Sequence, residues 1–168
     1  MKEIKLRKSD RVALVDDADY EYLSQFRWYC VHEKHCYYAV SHGHIPGHPE
    51  PLRMHRVILG VNKGIMIDHI DHNGLNNQRY NLRTATHAEN GRNRKPNQGY
   101  KYKGVGASGN KYEAKIQYNN KRMNLGTFST EEAAALAYND AAKKYFGEFA
   151  YLNIIETLPF MYKLMSLT

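Results

Sequence analysis

Residues 65–94 read IMIDHIDHNGLNNQRYNLRTATHAENGRNR. An apolar, β-branched run ends in Asp68-His69, and a loop rich in turn formers follows: Asp71, Asn73, Asn76 and Asn77. Asn81-Leu82-Arg83 resumes order. Thr86-x-x-Glu89 then has the capping-box spelling that opens a helix. The stretch predicts strand, loop, strand and short helix, with Asn90 in the helix's first turns facing back toward the end of the first strand. Asp68 offers a carboxylate and Asn90 an amide oxygen, the hard donors a divalent cation takes while keeping several waters. His69, with a reference pKa near neutrality, suits a general base that draws a proton from water. Asn81 could hold the imidazole or its loop by hydrogen bonds. Neighbours on a regular strand point to opposite faces, so Asp68 and His69 share a cleft only if the strand ends or twists there.

Each of these residues also has a plainer reading. An Asp-His pair alone is ordinary surface chemistry, and the asparagines are common in turns. Asp71 is read as a loop cap rather than a metal ligand. Arg79 and Arg83 are read as phosphate contacts rather than solvated charges. It is the constellation that carries the chemistry.

The pattern D-H-x-D-x-N, then N-L-R, then T-x-x-E-N resembles the HNH (ββα-metal) nuclease motif of phage and intron homing endonucleases. The resemblance implies Asp68 and Asn90 as ligands of one divalent ion, Mg²⁺ or Mn²⁺. It implies His69 as general base and Asn81 as its orienter. His72 departs from the motif, standing where many members carry glycine.

The chain has 168 residues and a formal charge of +7, with an isoelectric point near 9.3. From Gly91 to Leu125 nine basic residues face one acid, Glu113, a net +8 that leaves the rest of the chain close to neutral. A polyanionic partner is therefore expected at one region. Double-stranded DNA fits better than a membrane surface, since no basic amphipathic helix with bulky apolar anchors is present. The expected protein is soluble and cytoplasmic in a bacterial host, phage- or intron-encoded, and a monomer or weak dimer on DNA. It has no signal-peptide pattern or bilayer-length apolar run. Cys30 and Cys36 lie among His32, His35, His42, His44 and His48, but the spacing matches no known zinc finger, so structural zinc is disfavoured.

Outward from the motif, residues 1–60 read as a small α+β support module. Its strands are expected at Ile4–Leu6, Val12–Val15, Trp28–Val31 and Tyr37–Val40. Asp16-Asp17 should cap a helix over Ala18–Gln25. The lead-in Val15-Asp16-Asp17-x-Asp19-Tyr20-x-x-Leu23, with Trp28, Tyr38-Ala39 and Met54-His55-Arg56, resembles that of phage HNH proteins. His55 is expected to be a satisfied core or interface histidine. Residues 61–95 form the nuclease core and 96–101 a linker.

Residues 102–153 predict three short strands, at Tyr102–Val105, Tyr112–Tyr118 and Lys121–Leu125. A tight turn is expected at Asn119-Asn120 and a helix from Ser129-x-x-Glu132 to Phe146, closed by Gly147. Lys111, Glu113, Lys115 and Gln117 share one strand face, while an alanine-rich helix covers the other. The unit resembles the DNA-binding domain of plant ethylene-response factors, the Apetala family. The resemblance rests on Tyr102-Lys103-Gly104-Val105, Glu113-Ala114-Lys115-Ile116, Leu125-Gly126-Thr127-Phe128, Ala137-Tyr138 and Leu152-Asn153. It implies base contacts from Lys115, Gln117, Arg122 and Asn124, with Lys103 and Lys111 on phosphates. The plant family has an arginine and aromatics where this chain has Gly106 and Asn124, so site preference does not transfer. The tail, 154–168, is expected to dock on the body.

The expected class is α+β: a mixed N-terminal module, a ββα-metal core, a linker, then a three-stranded antiparallel sheet packed on one helix. The expected function is a metal-dependent, homing-type DNA endonuclease leaving 5′-phosphate and 3′-hydroxyl ends. The rivals are a DNA-binding regulator with a silent core and an RNA-directed nuclease; the hidden major groove of A-form RNA disfavours the second.

Overall fold

Strand β1 (Lys2–Lys5) pairs antiparallel with β2 (Val12–Val15), and helix α1 (Asp17–Ser24) follows directly. The structure is a computed structural model that describes residues 1–33, 36–43, 45 and 51–155. It divides the chain into two compact units, Met1–Gly91 and Arg92–Thr168. The fold is mixed α+β, with several small antiparallel sheets and short helices.

In the first unit, β3 (Tyr29–Glu33), β4 (Cys36–Ser41) and β5 (Leu52–Arg53) form an antiparallel sheet in that order. Helix α2 (Met54–Leu59) ends at Gly60, whose φ of +63° is the left-handed cap that favours glycine. A second ribbon pairs β6 (Met66–His69) with β7 (Leu82–Ala85), and α3 (His87–Arg92) closes the segment. This is the expected strand, loop, strand, helix order, with a 3-10 turn at Arg79–Asn81 in addition. Thr86 and Glu89 make the expected capping box. The Glu89 carboxylate accepts from Thr86 N at 2.8 Å, and Thr86 Oγ1 accepts from Glu89 N at 3.2 Å.

One core runs through this unit. Trp28 and Leu23 are 1 % exposed, and Ile4, Val15, Met54, Ile58, Leu75 and Leu82 are buried with them. Leu75 and Leu82 come from the expected nuclease segment and the others from the expected support module. Each such side chain contributes roughly 1.5–3 kcal/mol when fully buried, so the site segment draws its stability from the strands before it.

The second unit is a meander in the order β10-β9-β8, from β8 (Val105–Ser108), β9 (Lys111–Tyr118) and β10 (Lys121–Phe128), with α4 (Glu131–Phe146) on one face. Asn119 and Asn120, at φ +48° and +61°, make the expected tight turn. Of the boundaries that differ from the sequence reading, the third strand runs on to Phe128 and two others have a local cause. The first strand starts at Val105 because Gly104 turns at φ +76°, against the Tyr138 ring. The helix is capped by Thr130, which accepts from Ala133 N at 3.1 Å, rather than by Ser129. Asn139 and Asn153 exchange two backbone-directed hydrogen bonds, and Asn153 takes both backbone groups of Lys103, so the segment before β8 is tied to α4. Ile155 packs on the Tyr102 and Val105 cluster, while residues 156–168, and with them most of the tail's expected docking, lie outside the described residues. No helix of the described residues is long and apolar enough to cross a membrane.

Candidate active site and nucleic-acid face

Strand β6 delivers Asp68 and His69, which are 5 % and 6 % exposed. Asp68 pairs across the ribbon with Arg83, and His69 with Leu82. Cross-strand partners share a face, so the two functional side chains leave on opposite sides of a strand that ends at His69. Asp68 Oδ2 accepts from Arg83 Nε at 3.0 Å and from its terminal NH₂ at 2.7 Å. The Arg83 side chain is 10 % exposed and turned inward to the carboxylate. Its guanidinium therefore orients Asp68, a use that the phosphate-contact reading did not foresee.

The loop between the strands is held by its own polar groups. Asp71 accepts from Asn73 N (2.8 Å), Asn76 Nδ2 (2.8 Å) and Asn81 Nδ2 (2.9 Å). Burial pushes the Asp71 carboxyl up, but these donors outweigh it and hold it below the ordinary value. Asp71 is thus the cap of the loop. Asn81, 1 % exposed, also donates to Asn76 O and accepts from Asp71 N. Of the two uses open to it in the sequence, these hydrogen bonds are to the loop. His72 sits at φ +64°, the left-handed region, which gives the physical reason a glycine suits that position. Gly74 packs on β4, where an added Cβ would lie 2.5 Å from Tyr37 O and 2.7 Å from the Tyr38 ring. Cys36 Sγ accepts from Gly74 N at 3.2 Å, a packing role for a cysteine weighed above as a zinc ligand. His35, His44 and His48 lie outside the described residues.

The N-terminal strands brace this loop. Leu14 N donates to Leu75 O, and Asn77 N donates to Leu14 O, both at 2.8 Å. Asp16 occupies the N-cap position of α1, yet its carboxylate makes no cap bond. It accepts instead from Arg79 N (2.7 Å) and Gln78 Nε2 (3.2 Å). Asp19 takes the Arg79 guanidinium in two bonds of 2.9 and 2.7 Å. Arg79, expected on a phosphate, is thereby engaged by α1. Local pattern gives Asp16 as a helix cap; its partners lie more than sixty residues away, beyond the reach of any local signal.

His69 meets residues the sequence reading did not single out as site groups. Its Nε2 lies 3.4 Å from Asn77 Oδ1. Its ring centroid is 5.0 Å from that of His55 and 6.0 Å from that of Tyr38. Burial lowers the His69 pKa, against the Asn77 hydrogen bond and the charges of Asp71 and Asp68, which raise it. His55 is 5 % exposed. Burial first, and then His69 and two arginines, bring its pKa down to about 2. Burial thus favours the uncharged form of both rings, the state a proton acceptor needs.

Asn90 lies in α3, its backbone N–H bonded to Thr86 O, half-buried. Among the described residues no group of three or more His, Cys, Asp or Glu side chains is disposed to hold a metal. The oxygen donors expected as ligands, the Asp68 carboxylate and the Asn90 amide, are of the kind that suits a cation keeping its waters, so by donor type they fit Mg²⁺-like chemistry rather than a closed zinc site.

In the second unit Ala114 and Ile116 turn inward under α4, and the alternate residues form an open face. Register sets Gln117 beside Arg122, Lys115 beside Asn124, and Glu113 between Gly106 and Thr127. A bulge at Leu125, with Gly126 at φ +129° donating to Asn124 Oδ1, lets Met123, Leu125 and Phe128 all pack on the inner side. Lys115 pairs with Glu113 on the open face, and Lys111 is exposed at the end of β9. Lys103 is elsewhere. Its ammonium donates to Arg92 O and Arg94 O, at 2.6 and 2.7 Å, and burial lowers its pKa to about 8.

Residues 54–92 match the model of the HNH endonuclease family. The match begins at α2 and so takes in His55. An uncharacterized HNH endonuclease of Acanthamoeba polyphaga mimivirus is 38% identical over 112 residues, 62% of this chain and 59% of that protein. Over the C-terminal part the chain is similar to dehydration-responsive element-binding protein 2D of Arabidopsis thaliana, 47% identical over 60 residues, 34% of this chain and 29% of the relative. Protein 2E of that name from Oryza sativa subsp. japonica is 48% identical over 46 residues, 26% of this chain and 14% of the relative. The chain spans about three fifths of the viral relative and under a third of the plant ones. No solved structure gives a significant match.

Proposed function

We propose that the protein is a divalent-metal-dependent, homing-type endonuclease whose first unit cuts duplex DNA and whose second unit reads it. The observation that carries this reading is His69, a buried imidazole closing β6 beside Asp68, inside the segment matched by the HNH family model. Asp68 and Asn90 would hold one Mg²⁺ or Mn²⁺ ion. Such an ion, when bound, would supply positive charge to the phosphate as the bond to the 3′ oxygen breaks. Arg83 keeps the Asp68 carboxylate in one orientation through its two bonds to Oδ2. His69 takes a proton from a water attacking in line, and Asn81 fixes the loop that positions the ring. The products are 5′-phosphate and 3′-hydroxyl ends. One site per chain cuts one strand, so a monomer nicks.

In the second unit, Lys115, Gln117, Arg122 and Asn124 form two adjacent cross-strand pairs on an open basic face, the arrangement by which a sheet enters a major groove. Lys111 contacts phosphate. Lys103, Arg79 and Arg83 serve the protein's own structure through the contacts described above.

The test is supercoiled plasmid with Mg²⁺ or Mn²⁺. The wild-type chain should yield nicked circles, and His69→Ala should bind DNA yet leave the plasmid intact. Nicking by His69→Ala at a near-normal rate refutes the base assignment. Binding without nicking by the wild-type chain refutes the enzyme reading in favour of a DNA-binding regulator.

A further inference from the structure

Asn77 is the least exposed polar residue of the site loop, at 0 %. Its carboxamide has two ends with different chemistry, and its surroundings fix which end points where. Asn77 Nδ2 donates to Leu75 O at 3.2 Å. A carbonyl only accepts, so the amide nitrogen must face it and Oδ1 must face the other way. That oxygen lies 3.4 Å from His69 Nε2. An amide oxygen only accepts, so the imidazole nitrogen opposite must carry the proton. The Asn77 backbone is fixed in turn by its N–H bond to Leu14 O, and that of Leu75 by Leu14 N.

We infer that Asn77 is the positioning residue of His69, its amide oxygen holding the ring by Nε2–H and so leaving Nδ1 as the nitrogen that can take a proton. This rests on the reading of His69 as general base. It goes beyond it by running the orienting chain through strand β2: Leu14 to Asn77 to His69. Asn81, which the motif suggests as orienter, acts one step back by holding the loop.

The experiment is a long-range ¹H–¹⁵N correlation spectrum of the full chain with ¹⁵N-labelled histidine at pH 8, with His69 assigned by its loss in His69→Gln. The expected pattern is one tautomer, protonated at Nε2. A ring protonated at Nδ1, or a mixture of tautomers, overturns the inference. Asn77→Leu removes the acceptor and should give a mixed tautomer, with single-turnover cleavage falling roughly ten- to a hundredfold at unchanged DNA affinity. Asn77→Asp keeps an acceptor oxygen toward Nε2, so it should keep the Nε2–H pattern and cut faster than Asn77→Leu. A wild-type spectrum or wild-type rate in Asn77→Leu overturns the inference. If Asn77→Leu does not fold, the spectra of the wild type and of Asn77→Asp decide. A chain that shows the expected tautomer and loses it in Asn77→Leu, yet never nicks plasmid, supports the positioning and counts against the nuclease reading.

Discussion

Acidification from pH 7.5 to pH 5 should weaken the first unit through His55. This ring is 5 % exposed, and burial together with the neighbouring His69, Arg53 and Arg56 holds its folded pKa near 2. The unfolded value is 6.5. A histidine whose folded pKa lies below its unfolded one leaves the unfolded chain binding more protons between the two values. Stability therefore falls as pH drops through 6.5 and rises as pH is restored. At pH 5 the unfolded ring is about 1.5 pH units below its pKa, so at about 1.36 kcal/mol per unit the loss is about 2 kcal/mol. That figure holds for any folded pKa well below 5. The downward shift of His69 acts in the same direction and adds to it. The lowered Asp71 carboxyl acts only below 3.8, outside this range. For a unit the size of Met1–Gly91, 2 kcal/mol corresponds to roughly 8–16 °C in Tm. Scanning calorimetry of the full chain and of His55→Phe at both pH values measures it. The wild-type transition of the first unit should fall by that amount, and the variant's by clearly less. A first-unit Tm that stays level between pH 7.5 and 5, or an equal fall in His55→Phe, refutes the reasoning.

Arg83→Met should destabilise the first unit by about 3 kcal/mol, because it strips a buried carboxylate of two charge-assisted bonds. Mn²⁺ should restore more stability to this variant than to the wild type if Asp68 is a metal ligand, and an equal gain in both counts against that role. Gly74→Ala sets a methyl 2.5 Å from Tyr37 O on strand β4 and 2.7 Å from the Tyr38 ring. A cost of about 1–3 kcal/mol in urea denaturation is expected, with slower cleavage as Tyr38 shifts against His69. Wild-type stability would show that the loop yields freely. Gly104→Ala combines a φ of +76° with a methyl driven into the Tyr138 ring and 2.7 Å from Lys115 O. It should cost the second unit about 3 kcal/mol and abolish DNA affinity before it touches the first unit's melting; an unchanged second transition would contradict it.

Much of this protein was legible in local pattern. The capping box at Thr86 and Glu89, the Asn119-Asn120 turn, and the alternation that puts Lys115 and Gln117 opposite Ala114 and Ile116 are all set by residues a few positions apart, where propensity and periodicity act. The same holds for the strand, loop, strand, helix order of residues 65–94 and for the spacing that singles out Asp68 and His69. What the sequence alone left open depends on partners distant along the chain. Asp16 reads as a helix cap because its neighbours are helical, yet its carboxylate goes to Gln78 and Arg79. Arg83 reads as a phosphate contact until β6 pairs with β7 and sets Asp68 across from it. Asn77 is one turn-forming asparagine among several until β2 fixes its backbone and Leu75 orients its amide. Spacing along the chain names the candidate groups. Which atom each presents, and to what, is decided only when segments sixty residues apart satisfy one another's hydrogen bonds in a common core.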